Sequence, residues 1–277
     1  MLLGGFDGLH IGHRLLVARA KESKLPVGIM TIVGGKDRAL FTFEEREEIF
    51  KNEGIDFVFE LPFEEIKTLS PAQFLSLLEE NFSPKLFLCG DDFKFGFGAS
   101  GNIETLKSST QVCVEVVNLL KINGEKISSS SIKRALEDGD IEKANLLLGE
   151  DFFLKGEVVK DRGVGKTLSF PTANIAYPKE KFPLKQGVYA TWAEIDGKLY
   201  HGVTNYGARP TFGNQTVTTE THFIGFNGDL YGKTITVYFT RYLRDIQKFD
   251  SIEDLKNQLM QDIRMAQNEQ FQGENYD

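Results

Sequence analysis

The chain has 277 residues, 41% hydrophobic and 26% charged, with a net charge of −8 at pH 7 and a pI near 5.2. That length leads us to expect two domains of roughly 150 residues each, and there is apolar material for two cores. The acidic balance argues against a nucleic-acid backbone as the main partner, because a phosphate chain demands a basic face. Small phosphorylated ligands, which need only a local pocket, stay open.

Two cysteines, Cys89 and Cys113, are too few for a disulfide framework. Both lie in apolar runs, "KLFLCG" and "QVCVEVV", and are expected as small buried hydrophobes. No segment has the length of a transmembrane helix, and the amino end lacks a basic-then-apolar leader pattern. The expected setting is a reducing cytoplasm, without a membrane partner.

In chain order, "MLLGGF" is a short apolar run closing on glycines. "VGIMTI" (27–32), "IDFVFEL" (55–61), "KLFLCG" (85–90) and "VCVEVV" (112–117) are continuous apolar runs of strand length. Such runs suit a parallel sheet buried on both faces. Thr42 and Glu45 spell a capping box. Ser70 and Gln73 spell another, with Pro71 at the first helical position. The alternation predicts a doubly wound α/β sheet, and "SSSSIKRALEDGDIEKANLLLG" adds two short helices ending at Gly149. A first domain of 1–150 follows.

From Phe152 the strand signals shorten and turn signals multiply. "WAEIDGKLYHGV" predicts a hairpin turning at Asp196-Gly197, and "TVTTETHFIGF" and "KTITVYF" predict further strands. An antiparallel barrel or sandwich over 151–266 is expected. Ile252, Leu255, Leu259 and Ile263 form one stripe of a closing helix that packs on it. The polar residues 267–277 are expected to be a disordered tail.

Three stretches carry chemistry. "GGFDGLHIGH" (4–13) follows the first strand directly. His10 and His13, three apart, share a helix face in a first turn where free N–H groups favour an anion. Gly5, Gly8 and Gly12 let a ligand approach the backbone; the plainer alternative is a tight turn with surface histidines. Zinc is not expected, since no Cys or His cluster supplies further ligands. "DRGVGKTLSFPTAN" (161–174) looks like a P-loop at Gly165-Lys166-Thr167, but Lys160 stands where the first Walker glycine belongs. Pro171 also falls where the following helix would run. Glu220 in "TVTTETHFIGF" alternates onto the face of Ile224 and Phe226, where a carboxylate needs a partner or a task.

Resemblance to known families extends this reading. His10-Ile11-Gly12-His13 resembles, letter for letter, the HIGH signature of the nucleotidylyltransferase superfamily. That implies in-line attack on the α-phosphate of a nucleoside triphosphate, with the histidines steadying the developing charge and Gly5, Phe6, Gly8 and Gly12 beside the nucleotide. "KISSSSIKRAL" (126–136) is similar to the KMSKS loop and to the ISSxxIR form of flavin and coenzyme-A adenylyltransferases. It implies that Ser128, Ser129 and Ser130 meet the β- and γ-phosphates; taken alone, a serine run is a helix cap. Lys133 stands at the usual arginine, with Arg134 next to it. Lysine lacks the bidentate fork, and which of the two meets phosphate stays open.

"CGDDFKFGFGASGN" (89–102) resembles the G-x-[ND]-F-x-F-G loop of prokaryotic FAD synthetases, implying Asp92, Phe93 and Phe95 beside the flavin. By itself it could be a glycine-rich loop with aromatic packing. "GKTLSFPTAN" resembles the flavokinase signature G-[RK]-x-L-G-F-P-T-A-N, with Ser169 in place of the usual glycine. This implies Gly165 and Lys166 at phosphate, and Thr172 and Asn174 as oxygen ligands for Mg²⁺. Alone, Pro171–Asn174 could equally be a proline turn with an asparagine cap. "GVTNYGARPTFG" and "TETHF" continue the match, implying Arg209 near the nucleotide and Glu220 as base for the ribityl 5′-hydroxyl.

The resemblance runs from residue 3 to about 266, and the chain is identified as a member of the bacterial bifunctional riboflavin kinase/FMN adenylyltransferase family. The implied architecture is an α/β doubly wound parallel-sheet nucleotidylyltransferase domain, then an antiparallel β-barrel flavokinase domain with a C-terminal helix. The implied chemistry phosphorylates riboflavin with ATP to FMN and ADP, then adenylylates FMN with ATP to FAD and pyrophosphate, both with Mg²⁺. No nucleic-acid partner is expected, and the sequence does not fix the oligomeric state. The chain starts closer to the first glycine loop than many relatives, so an N-terminal hairpin is not expected. The rival readings are an enzyme with one of the two activities and a flavin-binding regulator.

Overall fold

The computed structural model describes residues 1–35, 38–118, 121–122, 124–160, 171–209 and 216–268. The chain forms two compact units: Met1–Ser131 with Glu180–Phe182, and Ile132–Lys179 with Pro183–Asp277.

The first unit carries β1 (Leu2–Leu3), α1 (Ile11–Glu22), β2 (Gly28–Val33), α2 (Phe43–Asn52), β3 (Phe57–Pro62), α3 (Phe63–Ile66), α4 (Pro71–Phe82), β4 (Leu86–Gly90), α5 (Ile103–Ser109) and β5 (Cys113–Val117). A small ladder of β6 (Lys121–Ile122) and β7 (Glu125–Lys126) follows. The five strands β1–β5 pair in parallel in the order β3-β2-β1-β4-β5. Each lies where an apolar run placed it, but cover on both faces does not extend to the edges: β3 and β5 are largely half-exposed or exposed. Cys113, on edge strand β5, is therefore exposed, which corrects its expected burial. Cys89, in β4, is buried, and that burial pushes its thiol up to about 11. Both capping boxes form, Thr42 with Glu45 on α2 and Ser70 with Gln73 on α4. Strand order runs outward from β1 to β3 on one side and then jumps to β4 and β5 on the other. The crevice outside the carboxyl ends of β1 and β4 is thus the topological switch point, where ligands bind such sheets.

The second unit begins within α6 (Ser129–Asp138) and includes α7 (Ile141–Leu148), which ends on left-handed Gly149 (φ 79°) as predicted. The division therefore falls ahead of the expected boundary near Gly149. The reason is packing: α7 lies against β13 and β8 of the barrel, and its Asn145 is 4% exposed and fully bonded. Asn145 Nδ2 donates to Asp151 Oδ1 (2.9 Å) and to the Phe239 carbonyl (2.8 Å), while its Oδ1 accepts the Phe152 N–H (2.8 Å).

The barrel strands are β8 (Phe152–Glu157), β9 (Ala173–Ala176), β10 (Gly187–Ile195), β11 (Lys198–Arg209), β12 (Thr216–Phe223) and β13 (Thr234–Arg244). They pair antiparallel in the order β8-β13-β10-β11-β12-β9. A single bridge closes the seam just beyond β8: the Val159 N–H donates to the Asn174 carbonyl at 2.9 Å. The β10–β11 hairpin turns at Asp196 (φ 52°) and Gly197 (φ 77°), the left-handed pair that a two-residue turn needs. Inside, Thr191, Thr204 and Thr221 form a buried hydroxyl ladder with successive Oγ–Oγ distances of 2.8 Å.

Helix α8 (Ile252–Gln267) packs on β11 and β10, with a face shifted from the predicted stripe. Ile252 is 64% exposed, whereas Asp262 and Ala266 are buried and Ile263 packs on the core. Asp262 sets that rotation, because it receives Arg244 Nη2 at 2.7 Å and Nε at 3.0 Å. The helix also extends into the predicted tail, and 269–277 lie outside the described residues.

Asn145→Ala should lower the unfolding free energy of the second unit by about 3 kcal/mol, since it strips partners from three buried polar groups. Denaturant unfolding checks this. A change below about 1 kcal/mol would mean that α7 is not integral to the barrel unit.

Candidate active sites

Residues 4–8 leave the carboxyl end of β1 and turn at the switch point. Phe6 sits at φ 37°, a left-handed conformation that costs a non-glycine residue about 1–3 kcal/mol. Two buried groups brace the turn from beneath. Thr31 Oγ1 donates to the Phe6 carbonyl at 3.3 Å and approaches that of Gly5 at 3.4 Å, and it accepts Arg46 Nη1 at 2.7 Å. The glycines differ in purpose. A Cβ on Gly5 would meet open space, as close approach by a ligand requires. On Gly8 it would stand 2.8 Å from the Phe41 ring, and on Gly12 3.2 Å from the His10 ring. Those two are glycine because side chains of the chain itself fill the space.

His10 is not inside the helix, as its spacing suggested. It is the N-cap of α1, extended at φ −90°, ψ 168°, and its Nδ1 accepts the His13 N–H at 3.1 Å. The imidazoles stack with centroids 3.5 Å apart, and Phe6 packs on His13 at 4.5 Å. Burial, with His13 adding to it, pulls His10 down to about 2; burial also pulls His13 down to about 4, with Asp7 and Asp92 acting against it. Both are therefore neutral, and their protons can be assigned. His10 Nδ1 accepts, so its proton is on Nε2. His13 Nδ1 lies 3.1 Å from the Gly8 carbonyl, which can only accept, so its proton is on Nδ1.

The serine run reaches this turn. Ser129 Oγ donates to Asp7 Oδ1 at 2.5 Å across 122 residues of sequence. Ser128 caps α6, its Oγ accepting the Ser131 N–H at 3.2 Å, and Ser130 is exposed. Lys133 is half-buried and Arg134 exposed on the same helix. In the loop after β4, exposed Asp92 pairs with Lys126. Phe93 stacks on Phe95 at 5.4 Å, and Phe95 is a buried core residue tilted on Phe74 at 5.6 Å. Asp7, Thr31, Arg46 and Lys126 went unnoticed in the sequence. For Asp7 the signal was its place between Phe6 and Gly8; Thr31 and Arg46 sit inside ordinary strand and helix patterns and gave none.

In the barrel, Asn174 and Glu220 are register partners across β9 and β12, so their side chains share a face about 5 Å apart. Thr172 and Asn174 line a cavity of about 500 Å³ with Val158, Phe223, Phe226 and Tyr231. Asn174 is 6% exposed. Glu220 is half-buried and is not among the described lining residues. Its expected company changes too. β12 ends at Phe223, so alternation does not carry on to Phe226, and the buried face belongs to Thr219, Thr221 and Phe223. His222 Nδ1 lies 3.0 Å from the Pro171 carbonyl, tying β12 to the start of the Pro171–Asn174 stretch. Gly165 and Lys166 lie outside the described residues, and Arg209 is the last residue of β11.

Comparison with known proteins matches the chain to two family models: FAD synthetase over residues 1–131 and riboflavin kinase over 148–269. A bifunctional riboflavin kinase/FMN adenylyltransferase of Bacillus subtilis is 32% identical, covering 96% of this chain and 90% of its own. One from Pseudomonas fluorescens is also 32% identical, over 95% and 90%. A crystal structure described as a macrolide-efflux protein from Streptococcus pneumoniae superposes with a TM-score of 0.88 at 29% identity, over 97% of this chain and 93% of that one. Efflux is said there of that protein; among the described residues here, no helix is long and apolar enough to cross a membrane. The fold and the matched families together define a two-unit transferase, with a nucleotidyltransferase sheet and a kinase barrel. The chain belongs to the bifunctional riboflavin kinase/FMN adenylyltransferase family.

The lowered histidines make a signed forecast. Unfolded, each titrates near 6.5; folded, each stays neutral to well below that. The unfolded state therefore binds more protons as pH falls, and stability present above 6.5 is lost on acidification towards about 4 for His13 and about 2 for His10. The slope is up to about 1.4 kcal/mol per pH unit for each histidine. Denaturant unfolding between pH 7 and 5 should be less pH-dependent in a His10→Gln/His13→Gln variant. Equal slopes would show that the pair keeps its ordinary ionisation.

Proposed function

We propose that adenylyl transfer is carried out by residues 1–131 with 180–182, and riboflavin phosphorylation by the barrel together with α7. The reading rests above all on convergence: each unit brings its own motif residues together from distant sequence, Ser129 to Asp7 in one and Asn174 opposite Glu220 in the other. Both activities follow from the family, and the roles below are our assignments.

In the first unit, an FMN phosphate oxygen attacks the α-phosphorus of ATP, the α–β bridge breaks and pyrophosphate leaves. His10 offers its Nε2–H to an α-phosphate oxygen. His13 offers Nε2 as the place where a proton settles once an anion raises its basicity. Gly5 and Phe6 border the nucleotide, and the start of α6, with Ser129 and Ser130, faces the leaving phosphates. Asp92 and Phe93, with Phe95 beneath them, border the flavin; Lys133 or Arg134, further along α6, is assigned to phosphate on its motif.

In the second unit, the ribityl 5′-oxygen attacks the γ-phosphorus and ADP leaves, while Glu220 orients the hydroxyl and takes its proton. Thr172 and Asn174 offer oxygen donors at the cavity wall, a set that suits Mg²⁺, which keeps several waters and shares substrate phosphates. When bound, the ion would neutralise charge on the phosphates. Gly165, Lys166 and Arg209 are assigned to phosphate on their motifs. Two unpaired cysteines fit a reducing cytoplasm.

Supplied with riboflavin, ATP and Mg²⁺, the protein should yield FMN and then FAD on chromatographic separation of the flavins. Glu220→Gln should reduce FMN formation on the order of a hundredfold while FAD still forms from supplied FMN; His10→Ala/His13→Ala should do the reverse. Normal FMN formation by folded Glu220→Gln would remove Glu220 from the mechanism. Normal FAD formation by the histidine variant would remove the pair.

A further inference from the structure

We infer that Lys181 is a positioning residue for adenylyl transfer, holding His13 through Phe41 and the Gly8 carbonyl. The inference rests on the role assigned to His13 above. Lys181 lies inside the stretch matched by the riboflavin kinase model, yet its segment, Glu180–Phe182, is part of the first compact unit. There it pairs with Ala39 as a parallel bridge, and the Phe182 N–H donates to the Ala39 carbonyl at 2.7 Å.

The lysine is fully buried at 0% exposure and forms an ion pair with Glu45, itself 1% exposed. Burial draws Lys181 down to about 8, against the pull of Glu45. As a space-filling anchor this is a poor choice, because a buried ion pair is often no better for stability than well-packed apolar side chains. What the pair does is set the position of a ring. Lys181 Nζ stands 4.4 Å from the centroid of Phe41, a desolvated cation–π contact. Glu45 meanwhile accepts the Thr42 N–H at 2.8 Å, fixing the backbone next to that ring.

Phe41 transmits this to the chemistry. Its N–H donates to the Asp7 carbonyl at 3.3 Å, and its ring lies where a Cβ on Gly8 would stand. The Gly8 carbonyl then receives His13 Nδ1–H, and the His13 N–H orients His10. The contacts run unbroken from Lys181 to both imidazoles, and they end on the bond that fixes the His13 tautomer. Small displacements of a group that must meet a reacting phosphate cost rate steeply.

The test uses Lys181→Met in the full chain. FAD formation from supplied FMN should lose about tenfold or more in kcat, with KM for ATP within about threefold and FMN formation from riboflavin unchanged. In ¹⁵N-histidine spectra, His13 should depart from the Nδ1-protonated pattern. Should Glu45, left without Lys181, unfold the unit, Glu45→Gln/Lys181→Met removes both buried charges together. Its melting temperature should recover while kcat does not. An unchanged kcat in folded Lys181→Met overturns the proposal, and so does a kcat that recovers together with the melting temperature in the double variant. His13→Ala run alongside separates the two readings. Full FAD formation there removes the role of His13 and the proposal with it; loss there with none in Lys181→Met removes the proposal alone.

Discussion

The first unit depends on one backbone constraint. β1 has two residues, and the chain must then turn within six more to deliver two imidazoles to the start of α1. So short a strand cannot anchor the turn by its own ladder, so other elements hold it. Thr31 and Arg46 support residues 5 and 6, Phe41 supports 7 and 8, and Ser129 reaches Asp7 from the far end of the unit. Phe6 keeps its left-handed conformation because these contacts over-determine it, which is how a strained residue persists in a stable fold.

The same packing explains why the histidines are neutral. Stacked imidazoles repel as cations, and burial adds a desolvation cost to any charge placed there. A phosphate arriving in the crevice changes both terms, supplying an anion and hydrogen-bond acceptors. Preorganised donors that wait uncharged also avoid attracting a counterion to the empty site. On the reading proposed above, the net charge of −8 on the whole chain is no obstacle, because a phosphate can be met by local N–H groups rather than by a broad positive field.

Much of this was legible in the sequence, for identifiable reasons. The five parallel strands announced themselves as apolar runs and the helices by their caps, because both signals are local. The candidate residues His10, His13, Ser129, Asn174 and Glu220 were picked out because each lies in a short contiguous motif. What escaped depended on partners remote in sequence. Edge exposure of β3 and β5 follows from strand order, which no single run encodes. The burial of Asp262 on α8 follows from its pairing with half-buried Arg244, and in the sequence both read as ordinary surface charges. The first unit's claim on Lys181 is the extreme case: nothing near "PKEKFP" marks one of its lysines as fully buried.

The barrel answers a similar problem by different means. Its seam is closed by the carbonyl of Asn174, whose side chain lines the cavity and stands opposite Glu220. The backbone of Asn174 is thus fixed by the seam, and its Nδ2 donates to the Thr172 carbonyl at 3.4 Å. On the reading proposed above, this suits a ligand for a hard cation facing a carboxylate that orients one hydroxyl. Pro171 serves the same end. It fixes φ and sends its carbonyl to His222, so the chain enters β9 on a set course. The chain joins the sheet at Ala173, directly after Thr172, and Asn174 lies within β9 opposite Glu220.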